Sequence, residues 1–279
     1  MEKALAAIDS FSSLKALLAA KLGREEIKPP MTEDSVVRCS SVADLCAREE
    51  VLRSRLGRSK TRITLPGLEL SLLNGTAIHD VVQNGLLPSV GVLQGKWKCL
   101  SCSKVHQGKG DNLVDMAIYR PDTCGSCGHA VLRYEEFEVF EAEYFGMKVR
   151  GHLDGVLRIR GLPGKLLFEL KTIGQDHAWK VASFPMYEHV IQANMYMRLA
   201  NLKHAIIFYW IKGMTGMESV LDHRVDYDPE LTLSIKDTLE SLKRGLLDTT
   251  YTPERICATG DCERASECCV AKECFEEAA

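Results

Sequence analysis

Residues 151–172 read GHLDGVLRIRGLPGKLLFELKT, and this stretch decides the architecture. Two apolar runs, each carrying one acidic residue, flank Gly161-Leu162-Pro163-Gly164, so the segment predicts two strands separated by a turn. Alternation along the second strand puts Glu169 and Lys171 on one face and Leu170 on the other. If the two strands pair as a hairpin, Asp154 approaches Glu169. Neighbouring carboxylates make a hard oxygen site suited to Mg²⁺ or Mn²⁺, and an ion held there polarises a phosphate and lowers the pKa of a water. Lys171 would orient or deprotonate that water, or offset charge in the transition state. The bland alternative is three charges on one wet strand face. Leu166-Leu167-Phe168 before Glu169 and Gly155-Val156-Leu157 after Asp154 argue against it, because charges are seldom set into core segments without a partner or a metal.

Working outward, FEVFEAEYF (137–145) predicts a further strand before the hairpin. After it, the pattern predicts a helix at about 186–200, an apolar strand HAIIFYWIK (204–212) and a long amphipathic helix at about 228–247. Upstream, residues 41–56 have helical spacing with Ser41 as a candidate cap and Asp44 three positions on. A second helix over about 75–86 carries His79. Residues 24–36 are polar with two prolines and read as a linker. Leu5, Ile8, Leu14, Leu17 and Leu18 recur at helical spacing and predict an amphipathic N-terminal helix. Helices, three strands, helix, strand, helix is the order of a mixed α/β core. The expected organisation is an N-terminal helix and linker (1–36), a helical part (37–94), an inserted cysteine module (95–133), the α/β core (134–252) and a cysteine-rich tail (253–279).

The chain has 279 residues, 46% hydrophobic and 26% charged, as expected of a globular protein. Its formal charge of -3 excludes a global basic field of the kind that coats nucleic acid, and leaves room for a local basic groove. No apolar run approaches the ~20 residues of a membrane span, and the opening residues lack the apolar core of a signal peptide. A cytoplasmic, intracellular protein without membrane partners is therefore expected. In a reducing compartment the eleven cysteines point to metal ligation rather than disulfides. Cys99-x-x-Cys102 and Cys124-x-x-Cys127, 21 residues apart, supply the four thiolates of a zinc ribbon. Zn²⁺ would bring the folding energy that so short an insert lacks in core. Lys96, Lys98, Lys104, Lys109 and His106 make the insert basic, either to touch DNA or simply as a solvated surface.

GHLDGVL, FELKT, the QANMY helix with Gln192 and Tyr196, and Gly75-Thr-Ala-Ile-His79 occur in that family's order, and the chain resembles the RecB-like branch of the PD-(D/E)XK nucleases. The resemblance covers most of residues 41–274 apart from the insertion. It implies a restriction-endonuclease-like core, a central mixed sheet flanked by helices. It also implies a metal-dependent DNA nuclease. His79, Asp154, Glu169 and the Leu170 carbonyl would hold one or two Mg²⁺ or Mn²⁺ ions, Lys171 would assist the attacking water, and Gln192 and Tyr196 would face the site to contact DNA or order the lysine. Exonuclease action on single strands or ends is implied too, in recombination, repair, or phage and CRISPR DNA processing. A protein partner in a recombination or DNA-processing complex would fit that setting.

The tail is similar to that of AddB-type and CRISPR-associated exonucleases, in which one distant and three C-terminal cysteines bind a [4Fe-4S] cluster. Here that implies Cys46, Cys257, Cys268 and Cys274. The Cys46 segment, LCARE, lacks the usual proline. Position 265 is alanine where the family has a cysteine, so Cys257 or Cys262 must supply a ligand; Cys269 is a further thiol. A second zinc is the rival occupant, since both take four thiolates. Two other functions remain open at this level. One is a nucleic-acid-binding module that kept the sites and lost the chemistry; the other is a redox or regulatory iron–sulfur protein.

Overall fold

The structure is a computed structural model that describes residues 14–110 and 112–276. Leu5 and Ile8 of the expected N-terminal helix lie outside the described residues; α1 (Leu14–Leu22) forms, with Leu14 and Leu18 exposed. It is followed by β1 (Arg24–Lys28), β2 (Val36–Arg38), α2 (Ala47–Leu56), β3 (Lys60–Thr64) and α3 (Pro66–Val81). The cysteine insertion carries β4 (Leu93–Cys99), β5 (Val105–His106), β6 (Ile118–Tyr119) and β7 (Leu132–Glu135). Then come β8 (Phe137–Tyr144), β9 (Met147–Leu153), β10 (Gly155–Leu157), β11 (Leu166–Gly174), α4 (Tyr187–Ala200), β12 (His204–Lys212), β13 (Val220–Asp226) and α5 (Pro229–Leu247). Among the described residues no helix is long and apolar enough to cross a membrane.

The main sheet runs β13-β12-β11-β10-β4 and is mixed, with only β11 and β12 parallel in that row. A parallel pair needs a crossover, and α4 supplies it. β11 is apolar on both faces because both are covered. Leu167 joins the core that contains Ile191, Met195 and Met197 of α4, whereas Leu166, Phe168 and Leu170 join a second core around Trp97 and Leu93. Period-two alternation therefore turns Glu169 toward the α4 side.

A smaller sheet, β2-β9-β8, lies beside the first. The chain leaves it at Leu153 and enters the main sheet at Gly155, where β10 pairs antiparallel with β11 in the register Gly155↔Phe168. The expected hairpin thus forms, and Asp154 is the residue at the junction of the two sheets. Gly151 permits a close approach: a Cβ there would stand 2.3 Å from Cε1 of Tyr196 on α4. Asn194, fully buried, ties α4 to the start of α5. Its Nδ2 donates to Asp228 O (2.9 Å) and Thr232 Oγ1 (3.0 Å), and its Oδ1 accepts from Asp228 N (2.8 Å).

Four local expectations are corrected. The linker at 24–36 contains β1, paired along its whole length with β3; no alternation marks so charged a strand, and pairing decides it. The helix expected from Ser41 starts at Ala47. Cys46 is its cap, accepting from Glu49 N (3.4 Å), while the Ser41 hydroxyl donates to Arg38 O (3.0 Å) over a short 3-10 turn. The helix around His79 begins at Pro66, where proline suits the first turn. It then widens into a π turn over Val82–Leu86, a feature common at functional sites. Finally, β4 belongs at once to the main sheet and to the insertion, so the insertion grows out of a core strand.

Gly151→Ala is expected to lower stability by about 1–3 kcal/mol, the usual range for forcing a methyl into a packed contact. Denaturant melts check it: the midpoint falls while the slope is unchanged.

Candidate active site

One pocket, at the junction of the two sheets, is lined by His79, Glu136, Asp154, Glu169, Leu170, Lys171, Gln192 and Tyr196. Each arrives for a local reason. Glu169 and Lys171 share a face of β11. Gln192 and Tyr196 stand one turn apart on α4, on one helix face. Gly75, one turn before His79, is buried, and a Cβ there would lie 3.0 Å from Thr172 Oγ1. The missing side chain lets α3 lie against β11 and carries His79 to the pocket.

The bonding is specific. Leu170 N donates to Asp154 Oδ2 (2.7 Å). Lys171 Nζ sits 2.8 Å from Glu169 Oε1 and donates to Gln192 Oε1 (2.7 Å). Gln192 Nε2 donates to Glu169 Oε1 (2.8 Å) and to the Tyr196 hydroxyl (3.3 Å). His79 Nδ1 is 3.4 Å from Asp154 Oδ1. Glu169 is 2% exposed, and its Oε2 is buried with no hydrogen-bond partner. A bare carboxylate oxygen in a buried site is costly, and beside Asp154 it is a natural position for a cation. The donor set therefore fits a hard divalent ion.

Sequence reasoning missed Glu136. In the sequence Glu135-Glu136 is a plain acidic pair before a strand, with no spacing that marks it. In the fold, His79, Glu136 and Asp154 bring ligand atoms within 4.8 Å of one another. Gln83, on the π turn, donates from Nε2 to both Glu136 Oε1 (3.2 Å) and Asp154 O (2.9 Å).

The charges raise one another's proton affinity. Burial, then the charge of Asp154, pushes Glu169 up to about 7 against the opposing pull of Lys171. Burial and Asp154 likewise raise Glu136. Burial works to lower His79, but the hydrogen bond and charge of Asp154, with Glu136 and Glu169 behind it, leave it raised. Burial also raises Tyr196.

In the insertion, Cys99, Cys102, Cys124 and Cys127 converge with all sulfurs within 4.8 Å. Cys99–Cys127 and Cys102–Cys124 are each 3.6 Å apart, near the ~3.8 Å edge of a tetrahedron with ~2.3 Å metal–sulfur bonds. The two knuckles repeat one backbone pattern. Cys99 N donates to Lys104 O and Cys124 N to His129 O, while Ser103 N returns to Cys99 O and Gly128 N to Cys124 O, each at 2.8 Å. Ser103 and Gly128 both take positive φ, 60° and 74°. His106 Nε2 lies 3.2 Å from Cys124 Sγ.

Cys46, Cys257, Cys268 and Cys274 line one small pocket. Unlike the insertion thiols, they are not drawn within 4.8 Å of one another. Arg48 Nε donates to Cys274 Sγ (3.2 Å). Cys262 does not line this pocket; its sulfur caps the next helical turn, accepting from Ala265 N (3.4 Å). Cys269 is exposed.

Glu169, Glu136 and His79 all hold protons more tightly folded than unfolded. Without divalent ion, stability is therefore expected to fall as pH rises from about 4.5 through about 7, because the unfolded chain gives up its protons first. Protons and cations compete for the same oxygens, so Mn²⁺ affinity is expected to rise across the same interval. Thermal melts at several pH values with and without Mn²⁺ test both signs. A metal-independent profile would contradict the assignment of these groups to one cation pocket.

No family model matches the chain, and no curated protein matches it in sequence. Among solved structures it is similar to an alkaline exonuclease (LHK-Exo) from Laribacter hongkongensis, at 12% identity, covering 77% of this chain and 89% of that one, TM-score 0.44. The same protein in complex with dAMP gives 12% identity over 78% and 90%, TM-score 0.44. A phage-related exonuclease from Haemophilus somnus 129PT gives 12% identity over 78% and 97%, TM-score 0.34. At these identities and scores the likenesses decide nothing about this chain's chemistry, which is read from its own side chains.

Proposed function

We propose that the protein is a divalent-metal-dependent DNA nuclease of the PD-(D/E)XK type, in its RecB-like branch. One observation carries the reading. Glu169 keeps one oxygen bound by Lys171 and Gln192 and leaves the other buried and bare beside Asp154. What sets this oxygen apart is its pocket, which also holds Asp154 and His79 and so gathers the donors that a hard divalent ion takes. Asp154, Glu169 and the Leu170 carbonyl, with His79 opposite, would hold Mg²⁺ or Mn²⁺. A divalent ion bound there supplies Lewis acidity at the phosphate and lowers the pKa of the attacking water. Lys171, fixed by Gln192, orients that water and offsets the charge that develops on the phosphoryl oxygens. Gln192 and Tyr196 act as positioning residues for this pair. Arg38 and Arg150 on the pocket wall supply positive charge for the flanking phosphates.

The substrate we favour is single-stranded DNA, taken from an end. The turn Gln175–Val181 and the chain that follows it lead directly from the catalytic strand to α4 and expose Trp179, Phe184 and Tyr187, 73%, 78% and 63% accessible. Exposed aromatics beside basic groups suit stacking of unpaired bases. A recombination or DNA-processing complex in the cytoplasm is the setting this activity fits.

Lys171→Ala and Asp154→Asn are each expected to cut DNA hydrolysis in Mg²⁺ or Mn²⁺ by at least about a hundredfold, the scale of losing one transition-state contact, while DNA affinity changes little. Wild-type-like cleavage by either variant sinks the nuclease reading. Binding without cleavage by the wild-type chain would favour a silent binding module.

The insertion thiols are assigned to one structural Zn²⁺, and Cys46, Cys257, Cys268 and Cys274 to a [4Fe-4S] cluster that joins the two ends of the core. The likeness of the tail to that of the iron–sulfur exonucleases supports a cluster over a second zinc, which would also take four thiolates. Anaerobically purified protein is expected to contain about one zinc and about four irons per chain. Cys257→Ser should lose the iron, and Cys269→Ser should keep it. Two zincs and no iron would refute the cluster.

A further inference from the structure

We infer that the cysteine insertion is a second nucleic-acid-binding surface, and that a groove walled by Lys96, Lys104, His106 and Gln107 takes the phosphates of a DNA strand that runs on past the active-site pocket. The inference deepens the nuclease reading and rests on it for the identity of the polyanion. Val105, Ile118 and Glu135 complete the lining of the groove. Alternation and register explain how cations collect there. β4 turns Lys96 and Lys98 to one face and buries Trp97 on the other. On the lysine face, β7 sets Glu135 opposite Lys96 and Arg133 opposite Lys98, and β5 sets Val105 opposite Lys98. Lys104 stands exposed on the turn that leads into β5.

The charges are free and the surface that carries them is fixed. Among the described residues Lys96, Lys98, Lys104 and Lys109 form no ion pair, whereas Arg133 is held by Asp80 at 2.7 Å. Glu135 is the one carboxylate in the lining and lies across from Lys96, yet the two do not close a salt bridge. Lys96 is instead carried over the Phe137 ring, its ammonium 5.4 Å from the centroid, which braces the stem and leaves the charge for an incoming anion. Lys165, just before β11, donates to Val114 O (2.5 Å) and Ala117 O (3.3 Å) and so ties the insertion to the catalytic hairpin. His106 joins the groove to the thiol site, its Nε2 3.2 Å from Cys124 Sγ. The groove also adjoins the active site along the chain: Glu135 lines the one and Glu136 lines the other. A strand that crosses the end of β7 meets both.

The lining names the ligand. Lysine ammonium groups are point charges on flexible stems, suited to phosphates rather than to base edges. Val105, Ile118 and the His106 ring give the groove apolar and flat surface against which sugar and base can lie. The groove therefore contributes affinity that does not depend on base sequence and weakens with salt. On a chain of formal charge -3 such a local patch also sets the direction from which DNA approaches.

Lys96→Gln/Lys104→Gln keeps both stems and removes both charges. In the full chain carrying Asp154→Asn, so that DNA stays intact, fluorescence anisotropy with labelled single-stranded DNA of about 30 and about 6 nucleotides at several salt concentrations reads the groove. The double variant is expected to bind the long strand about tenfold more weakly, and the slope of log K against log salt should shrink by about 1.4, the share of two phosphates at ~0.7 each. The short strand, which fills only the active-site pocket, should bind variant and parent alike. Zinc content equal to the parent's shows that the thiol site is intact. Lys104→Glu, at an exposed position, should weaken the long strand in the same direction and serves as the second variant if the double one is unstable. Equal affinity and equal salt slope for the long strand in variants and parent overturn the inference, as does an equal loss for both lengths or a parent that binds no DNA. If the variants behave as expected but the chain with Asp154 intact cuts no DNA in Mg²⁺ or Mn²⁺, the nuclease reading fails and the binding groove stands.

Discussion

A carboxylate placed on the middle strand of a covered sheet has to be compensated, and much of this molecule is arranged around that need. Glu169 lies on β11, between β10 and β12, on the face that α4 covers. Its neighbours Leu167 and Phe168 are core residues, so the charge cannot reach bulk water by bending away. Three elements answer it. β11 itself offers Lys171, two positions on. α4 offers Gln192, which binds Lys171 through its oxygen and Glu169 through its nitrogen. The β9–β10 junction offers Asp154, whose like charge makes matters worse unless a cation joins them. All of these groups converge on one pocket.

That requirement also explains where the backbone lacks side chains. Gly75 brings the His79 helix against β11, and Gly151 makes room for the Tyr196 ring. Both absences let an element from outside the catalytic hairpin approach it. The cysteine insertion obeys a related economy. β4 pairs with β10 at Leu93 and Gln94 and ends at Cys99, so one continuous strand anchors the lobe in the main sheet. Trp97 is buried between them, its indole N–H donating to Ile118 O.

The C-terminal segment of the described chain folds back onto α2. Arg48 bonds Pro253 O and Cys274, and Arg55 bonds Thr252 Oγ1 and backbone carbonyls of Gly245, Asp248 and Tyr251. Leu52 packs with Val270 and Cys274. A guanidinium can satisfy several carbonyls at once, so two arginines on one helix fasten a tail that has little core of its own. The tail cysteines then face Cys46, the cap of that same helix.

By itself the sequence determined what local periodicity and spacing encode. The hairpin and its alternation, the α4 and α5 helices, the β12 strand, and the pairing of two cysteine knuckles are all legible from neighbours within a few residues, because side-chain direction repeats with the backbone. Asp154, Glu169 and Lys171 could be picked out for the same reason, whereas His79, Gln192 and Tyr196 are marked by the family resemblance. Tertiary structure decided what depends on distant pairing. β1 is a strand only because β3 lies beside it. Cys257 lines the tail pocket, and Cys262 lies against Cys257. Glu136 is the clearest case. It has the same composition and neighbours as any solvated glutamate, and it meets His79 and Asp154 only because a π turn, a bridging glutamine and the end of β7 converge there. Contacts between residues far apart in the chain leave no period to read, so the place of Glu136 in the pocket belongs to the fold alone.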